Sequence, residues 1–289
     1  MSAARRGLAK WLQALEKTFC PLLAERAADH LERQSGEGEL DVAVVKLRHI
    51  SNFTDFQSLA LQPGIKVRYA QTAKDLETAD LIVMPGTKNT IEDLIDLRNR
   101  GMDAAIVRHA RSGGMVIGVC GGYQMLGRML HDPDHVESRV PELAGLDLLD
   151  MEVTFETEKH TAQASGTVCC AAGWLAEANG ITVDGYEIHA GQNEFGSTAV
   201  PWLSIGSRVD GVMNAQGNVL GSYLHGLFDD GQLFAAIASN IRRQKGISGE
   251  ARPPVSFEAF REREFDRIAD IVRASVNMEA VYRIIRGEV

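Results

Sequence analysis

The sequence predicts an α/β fold in which helices flank a mixed, mostly parallel β-sheet. Two observations support this prediction. From about residue 41 to residue 130, short apolar runs alternate with segments whose apolar residues recur at helical spacing, which is typical of a parallel sheet covered by helices. Beyond residue 141 the chain becomes more β-like, which predicts further strands. The 289 residues suffice for one large α/β domain or two small ones.

The first half of the chain contains a helical segment, a linker and the first predicted strands. Apolar residues recur at helical spacing in residues 1–34, and the polar stretch 34–39 predicts a linker. Strands are predicted at 41–46, 65–70, 80–84 and 115–119, and helices at 90–112 and 122–130.

The second half combines short strands with two helical regions. Strands are predicted at 150–156, 165–170, 186–189, 203–209 and 218–224, and a helix at 230–245. Pro253 and Pro254 interrupt the chain before a final helical stretch, 257–286. An apolar stripe on that stretch comprises Phe260, Phe265, Ile268, Ile271 and Val272. These patterns divide the chain into a helical segment and linker at 1–38, a central α/β domain at 39–248 and a helical tail at 249–289.

Composition and charge exclude several classes of partner. The formal net charge of −9 leaves no basic excess to neutralise a phosphate backbone, which argues against nucleic acid. No apolar run approaches the roughly 18–20 residues that cross a bilayer. Arg5 and Arg6 lie near the N-terminus, but Glu16 interrupts any apolar core of a signal peptide. We therefore expect a cytoplasmic protein that does not use a membrane.

The four cysteines, Cys20, Cys120, Cys169 and Cys170, do not resemble a disulfide framework. Two of them are adjacent, and no C-x-x-C motif is present for zinc binding or redox chemistry. One of the four is therefore a candidate reactive thiol, and no metal site is predicted. The sequence also contains no G-x-x-x-x-G-K-[ST] motif, the phosphate-binding loop of many nucleotide-binding proteins.

Cys120 lies in the most informative segment of the chain. The predicted strand 115–119 leads into Gly118-Val-Cys120-Gly-Gly122, and a predicted helix follows at once. Small residues around a central nucleophile permit a nucleophile elbow, the sharp strand-to-helix turn that exposes a reactive side chain. The helix N-terminus favours the thiolate form. The alternative is a buried cysteine in a glycine-rich turn, but the flanking glycines and the strand–turn–helix order favour the nucleophile.

A cysteine nucleophile needs a general base, normally a histidine that the fold brings close. His225 follows the last predicted strand and precedes Gly226, which places it at the carboxyl edge of the sheet, as Cys120 is. A strand-end histidine that only bonds to the backbone is the alternative. The presence of the elbow favours the catalytic interpretation.

The loop 85–90, of sequence PGTKNT, also follows a predicted strand and precedes a helix. The backbone N–H near Gly86, together with that of Gly121 in the elbow, is a candidate donor to an oxyanion. The alternative is a simple turn in which Asn89 or Thr90 caps the helix, and the loop by itself favours this interpretation at least as much.

Together these motifs resemble class I, triad-type glutamine amidotransferases. The resemblance rests on GVCGGYQ around Cys120, on the PGTKNT loop and on the late strand-end histidine. The segments KLRHISNFTDF (46–56), GYEIHAG (185–191) and GSYLHGLF (221–228) are similar to the cobyric acid synthase branch of that class. The resemblance runs from about residue 41 to residue 234, and the tail is also similar to the end of that enzyme.

The resemblance implies a flavodoxin-like amidotransferase domain at 39–248 that hydrolyses glutamine. Cys120 would attack the side-chain amide, and His225 would take the thiol proton and pass it to departing ammonia. Gly86, Gly121 and Gln124 would bind the oxyanion and the glutamine. In the family, ammonia passes to a synthetase domain that binds ATP and a corrinoid and amidates adenosyl-cobyrinic acid a,c-diamide. No cofactor is therefore expected on this chain, and ATP and Mg²⁺ are expected on the synthetase.

The partner that orients the catalytic histidine is left unassigned. Most triad amidotransferases have a glutamate two residues after that histidine, whereas this chain has Leu227, as does the cobyric acid synthase branch. Glu187 is a weak candidate. Two interpretations of this strand remain open. Glu187 and His189 could line the surface that faces the substrate or the synthetase. Alternatively, they lie on a solvated face of the strand while Tyr186 and Ile188 enter the core.

Three other functions fit part of the pattern. One is an amidotransferase subunit that serves another ligase, such as lipid II amidation, but the segments 46–56 and 186–189 favour the corrinoid branch. A non-catalytic docking module is disfavoured by the intact Cys120 and His225. A small cysteine hydrolase or chaperone shares the elbow, but it is usually shorter and lacks the HGLF strand end.

Overall fold

The structure, a computed structural model, describes residues 40–169, 173–247 and 253–287. Within them, eleven strands form one mixed sheet in the order β2-β1-β3-β4-β11-β10-β9-β7-β5-β6, and β8 pairs with β7. The strands are β1 (Leu40–Val45), β2 (Ile65–Ala70), β3 (Leu81–Met84), β4 (Met115–Val119), β5 (Met129–His131), β6 (Glu142–Ala144), β7 (Met151–Val168), β8 (Thr182–Phe195), β9 (Val200–Ile205), β10 (Arg208–Met213) and β11 (Val219–Ser222). The predicted fold class, a mostly parallel sheet flanked by helices, is confirmed.

Helices cover both faces of the parallel part of the sheet. They are α1 (Gln57–Ala60), α2 (Thr90–Asn99), α3 (Met102–Arg111), α4 (Gly121–Met125), α5 (Gln232–Gln244), α6 (Phe257–Ser275) and α7 (Met278–Ile285). Alternate residues of β1 enter different cores: Val42 and Val44 pack with α1 and α5, and Ala43 and Val45 pack with α2 and α3. Because both faces are buried, the central strands read as nearly continuous apolar runs.

The four strands predicted before residue 120 are confirmed, and the helices between them are shorter than predicted. The helix expected at 90–112 is two helices, α2 and α3, because Gly101 adopts the left-handed conformation with φ of 67°. The helix expected at 122–130 ends at Met125, and β5 follows it. The segment after β4 therefore returns to the sheet sooner than its apolar pattern indicates.

A long antiparallel hairpin dominates the second half. The strands predicted at 150–156 and 165–170 are two parts of β7, and the strand predicted at 186–189 is the middle of β8. The prediction of one strand at 203–209 is wrong. A turn at Gly206, with φ of 60°, separates two strands there, β9 and β10.

The C-terminal tail forms two helices rather than one. α6 ends at Ser275, and the side chain of Asn277 caps α7 by accepting a hydrogen bond from the Ala280 N–H. The predicted apolar stripe lies largely in solvent, with Phe265 56% exposed. No helix in the described ranges has the length and apolar character to cross a membrane. The helix and linker predicted at 1–38 lie outside the described residues.

Candidate active site

The carboxyl edge of the parallel sheet gathers the predicted catalytic segments. β1, β3, β4 and β11 are mutually parallel, so the segments that follow them begin at the same edge. Ser222 of β11 lies opposite Val119 of β4, which brings the residues after these two strands together. Cys120 and His225 border one cavity of about 270 Å³, as the sequence predicts for a nucleophile and its base.

Cys120 adopts the strained geometry of a nucleophile elbow. Its φ of 50° and ψ of −114° are rare for a residue with a side chain and cost on the order of 1–3 kcal/mol. The Cys120 N–H donates to the Ser222 carbonyl at 2.9 Å, which holds the turn against β11. A Cβ atom at Gly122 would lie 2.1 Å from the Met84 carbonyl oxygen, so the turn requires glycine there. Strain of this kind is typical of functional sites.

His225 is fully buried and is held by a carboxylate that sequence reasoning did not assign. Its Nδ1 lies 2.7 Å from Oδ2 of Asp55, which is itself buried. Because a carboxylate only accepts hydrogen bonds, Nδ1 carries the donated proton and Nε2 is left to exchange a proton at the thiol. The Ser58 hydroxyl donates to the Asp55 carbonyl at 3.0 Å and steadies the short helical turn that carries Asp55.

The charge state of His225 follows from these contacts. Burial alone lowers the pKa of His225, but hydrogen bonds and charge from Asp55 and Cys120 outweigh burial and raise it to about 10. The imidazole is therefore protonated near pH 7. An adjacent imidazolium stabilises a thiolate, the reactive form of cysteine.

The backbone and ring of Tyr186 hold His225 from the other side. The two residues exchange backbone hydrogen bonds of 2.8 and 3.2 Å, and their rings stack with centroids 5.1 Å apart. A Cβ atom at Gly185 would lie 1.9 Å from the His225 carbonyl oxygen, so glycine permits this close approach. The Asn52 amide nitrogen lies 3.0 Å from both ring nitrogens of His225.

The structure does not place Glu187 against His225. Both carboxylate oxygens of Glu187 accept hydrogen bonds from Arg208 instead. The expectation that Glu187 orients the base is thus corrected in favour of Asp55. The expectation of a solvated face is also wrong, because Glu187 is 1% exposed while Ile188 is 41% exposed.

His189 lies at the edge of the catalytic cavity. Its ring stacks on Tyr223 with centroids 3.8 Å apart, and its Nδ1 lies 3.0 Å from the Gly191 carbonyl oxygen. Burial lowers the pKa of His189, which keeps this ring neutral at pH 7. The structure thus gives His189 a wall position beside the thiol.

The residues predicted to bind the oxyanion and glutamine lie next to Cys120. A Cβ atom at Gly86 would be 3.6 Å from the Cys120 Cβ, and one at Gly121 would be 2.6 Å from the Thr87 side chain. The elbow and the PGTKNT loop are therefore in direct contact. Gln124 borders the cavity and accepts a hydrogen bond from the Thr90 hydroxyl at 2.9 Å.

A buried aspartate joins the PGTKNT loop to the segment after β1. Asp93 accepts a hydrogen bond from the Thr87 hydroxyl and lies 2.8 Å from His49 Nδ1. The two segments also pair through their backbones, where the Ser51 N–H donates to the Gly86 carbonyl at 2.9 Å. These contacts fix the segment that carries Asp55 beside the oxyanion loop.

Glu137 borders the cavity and was not predicted from the sequence. Its carboxylate accepts a hydrogen bond of 2.6 Å from the Thr90 N–H at the start of α2. Burial raises its pKa to about 7, although the hydrogen bonds from Thr90 oppose the rise. Lys88 and Lys159 border the same cavity. Glu137 lies in the loop between β5 and β6, where no sequence pattern pointed to it, whereas Asp55 follows β1 at the predicted carboxyl edge.

The arrangement supports acyl transfer through a thioester. It combines a strained thiol, an imidazolium and a buried carboxylate, with backbone groups of two loops beside the sulfur. In the described part of the chain, no three His, Cys, Asp or Glu residues are placed to hold a metal ion.

Comparison with solved structures identifies the class of fold. The structure titled "Structure of PurLQS from Thermotoga maritima" contains a chain that matches with a TM-score of 0.55 at 16% identity, covering 69% of this chain and 98% of that one. A second match, "Crystal structure of glutamine amidotransferase", has a TM-score of 0.51 at 17% identity and covers 71% and 98%. The fold is that of the class I glutamine amidotransferases.

Sequence comparison identifies the family. A family model described as "CobB/CobQ-like glutamine amidotransferase domain" matches residues 41–233, and the chain belongs to this family of glutamine amidotransferases. Cobyric acid synthase of Dehalococcoides mccartyi is 43% identical over 265 residues, covering 89% of this chain and 51% of that protein. Cobyric acid synthase of Pelotomaculum thermopropionicum is 42% identical over 298 residues, covering 96% and 54%. The chain spans about half the length of these curated relatives.

Proposed function

We propose that the chain is the glutaminase part of a cobyric acid synthase. It hydrolyses the side-chain amide of glutamine and supplies ammonia to an ATP-dependent synthetase that amidates adenosyl-cobyrinic acid a,c-diamide in cobalamin biosynthesis. The observation that carries the proposal is the placement of Cys120 and His225 at one cavity, with Asp55 bound to His225, in a chain that is 43% identical to a cobyric acid synthase over 89% of its length. Residues 39–248 are the unit to which we assign glutamine hydrolysis.

The reaction begins with attack of the Cys120 thiolate on the carboxamide carbon. Negative charge develops on the amide oxygen, and the backbone N–H groups near Gly86 and Gly121 stabilise it. The imidazolium of His225 donates its proton to the nitrogen, ammonia leaves, and a γ-glutamyl thioester remains on the sulfur. His225 then accepts a proton from water, which attacks the thioester, releases glutamate and restores the thiolate.

The cavity contains groups that complement the other end of glutamine. The carboxylate of Glu137 suits the α-ammonium group, and the ammonium groups of Lys88 and Lys159 suit the α-carboxylate. Gln124 and Thr90 form the wall between these groups and Cys120. A substrate bound in this way presents its amide carbon to the sulfur.

The remaining chemistry belongs to a partner in this proposal. ATP and Mg²⁺ are assigned to a synthetase domain or subunit, which also binds the corrinoid, and this chain uses no cofactor of its own. Neither nucleic acid nor a membrane takes part. The proposed compartment is the cytoplasm, which keeps thiols such as the free Cys120 reduced.

The proposal is tested by covalent labelling with 6-diazo-5-oxo-L-norleucine, an electrophilic analogue of glutamine, followed by peptide mass mapping. We expect one label on Cys120, protection by glutamine, and no label in Cys120→Ala. The free and exposed Cys169 serves as an internal control for nonspecific alkylation. Glutamine-protected labelling of Cys169 or Cys20 instead of Cys120 would overturn the assignment.

A further inference from the structure

Arg208 and two buried carboxylates form an ion cluster beside β8, outside the cavity that Cys120 and His225 border. Arg208 Nη2 donates to both carboxylate oxygens of Glu187, at 2.8 and 2.7 Å, and Arg208 Nη1 lies 3.6 Å from Oδ1 of Asp210. The side chains of Glu187 and Asp210 are 2% and 0% exposed, so both carboxylates depend on Arg208 for compensation of their charge. None of the three residues borders the cavity that holds Cys120.

The Glu187 end of the cluster anchors the strand segment that holds the catalytic pair. Successive side chains of a strand alternate between its faces. Tyr186, one residue before Glu187, pairs its backbone with His225 and stacks on the imidazole. Ile188, one residue after, places its carbonyl oxygen 3.5 Å from Cys120 Sγ. A shift of Glu187 therefore moves both contacts.

The Asp210 end anchors the strand that leads to His225. Oδ2 of Asp210 accepts a hydrogen bond from the Ser222 hydroxyl, which in turn accepts one of 2.9 Å from the Leu224 N–H. The Ser222 carbonyl also accepts the hydrogen bond from the Cys120 N–H. Asp210 thus fixes the end of β11 and, through it, one support of the elbow.

We propose that Arg208 is a positioning residue for the proposed glutaminase reaction. By joining Glu187 on β8 to Asp210 on β10, its guanidinium holds in place the middle of β8 and, through Ser222, the end of β11, which carry the contacts of Cys120 and His225. The inference rests on the proposed function for its kinetic test, but the geometry it describes exists in the protein whatever its substrate.

The charge balance of the cluster supports this role. Burial by itself raises the pKa of Glu187, but the hydrogen bond and charge of Arg208 outweigh burial and lower it. Burial raises the pKa of Asp210 to about 6, the Ser222 hydroxyl opposes the rise, and the charge of Glu187 adds to it. Removal of Arg208 therefore leaves the two facing buried carboxyl groups without their counter-charge and removes the contacts that tie Glu187 to β10.

The neighbouring titratable groups do not replace the guanidinium. His160 Nε2 and His189 Nε2 lie 3.5 and 3.8 Å from Glu187, farther than the Arg208 contacts of 2.8 and 2.7 Å, and the lowered pKa of His189 keeps it neutral. The remaining ionisable groups along the adjoining cavity are the acidic Glu156 and Glu158 and the phenol of Tyr223.

The test compares Arg208→Ala with Arg128→Ala in the full chain. Arg128 is a matched control because its side chain is 46% exposed against 48% for Arg208, and it also contacts two carboxylates, Asp150 and Glu152. We expect Arg208→Ala to lower kcat for glutamine hydrolysis by roughly 10- to 100-fold, as misplacement of catalytic groups does. KM should stay within about twofold, since Glu137 and Gln124 lie outside the cluster. Arg128→Ala should leave both constants unchanged.

Two further variants separate positioning from loss of folding. Arg208→Lys keeps the charge but not the two-pronged contact, and we expect an intermediate kcat. In Arg208→Ala, the added substitution Glu187→Gln removes one of the facing charges and should recover part of the lost kcat. Three results would overturn the proposal. They are equal kcat values for Arg208→Ala and Arg128→Ala, a rise in KM without a fall in kcat, and no recovery of kcat in the double variant.

A second readout keeps this test independent of the proposed function. The rate of Cys120 alkylation by iodoacetamide reports on the thiolate and its imidazolium without any glutamine. We expect that rate to fall in Arg208→Ala and not in Arg128→Ala. If the unaltered chain hydrolyses no glutamine, the proposed function fails, while the alkylation rates still decide the role of Arg208: equal rates in the two variants refute it.

Discussion

Asp55 and His225 are 170 residues apart in the chain, and their side chains meet at 2.7 Å in the interior of the protein. Asp55 follows β1, and His225 follows β11, two strands separated in the sheet by β3 and β4. The contact fixes the imidazole on one nitrogen and leaves the other for the thiol of Cys120. It supplies the orienting carboxylate that most enzymes of this class place two residues after the histidine, where this chain has Leu227.

The substitution Asp55→Asn tests this contact. The amide keeps the shape of the carboxylate but removes its charge, so we expect kcat for glutamine hydrolysis to fall roughly 100-fold or more. The pKa of His225, followed by NMR of the imidazole, should fall from about 10. Asp41→Asn is the matched control, because Asp41 is also an aspartate of the β1 region and pairs with Arg68 away from the site. An unchanged His225 titration in Asp55→Asn would contradict the assignment.

The dependence of stability on pH gives a second prediction. A histidine whose pKa rises from about 6.5 in the unfolded chain to about 10 in the folded protein stabilises the fold fully below pH 6.5. That stabilisation, on the order of a few kcal/mol, is lost as pH rises through 10. The free energy of unfolding from urea titrations should therefore fall between pH 6.5 and 10 more steeply in the unaltered protein than in Asp55→Asn. Parallel profiles for the two proteins would rule out the linkage.

Glu137 gives a prediction about substrate binding. Its pKa of about 7 in the free protein means that the carboxylate forms as pH rises through 7. If it binds the α-ammonium group, KM for glutamine falls over pH 6–8 while kcat changes little. In Glu137→Gln, KM at pH 8 should be higher by roughly 10- to 100-fold, the cost of one charged hydrogen bond, and should no longer fall across this range. A KM profile that is the same in both proteins would remove Glu137 from the binding site.

The link between glutamine hydrolysis and amidation is tested with a synthetase part supplied separately. Cys120→Ala should abolish amidation of adenosyl-cobyrinic acid a,c-diamide with glutamine as nitrogen donor, because no thioester can form. Amidation with ammonium chloride should continue, because that route does not need the thiol. Equal loss of both activities would show that Cys120 has a structural role in the complex instead.

Much of the fold is predictable because its central strands are buried on both faces. β1, β3, β4 and β11 have nearly continuous apolar runs, and glycines mark the turn at Cys120. The β7–β8 hairpin is less predictable, because residues 156–164 at its middle are mostly exposed and polar. The break at Gly101 and the turn at Gly206 depend on left-handed backbone conformations that the apolar pattern does not reveal.

The proposed catalytic pair, Cys120 and His225, has a signature in the local sequence, and the residues that support it do not. Cys120 carries an elbow, and His225 ends a strand, so each has a local signature. Asp55 lies in the segment 46–56 that supported the resemblance, and its position after β1 could have identified it. Arg208 and Glu137 become visible only when β10 and the loop between β5 and β6 are placed in three dimensions.

The proposed function depends on a γ-glutamyl thioester at Cys120. Rapid acid quenching of the protein during turnover with isotopically labelled glutamine, followed by peptide mass mapping, tests it most directly. We expect the labelled glutamyl group on the peptide that contains Cys120, and its absence in Cys120→Ala. Release of ammonia by Cys120→Ala at the unaltered rate, or a glutamyl group on Cys169 instead, would exclude Cys120 as the nucleophile.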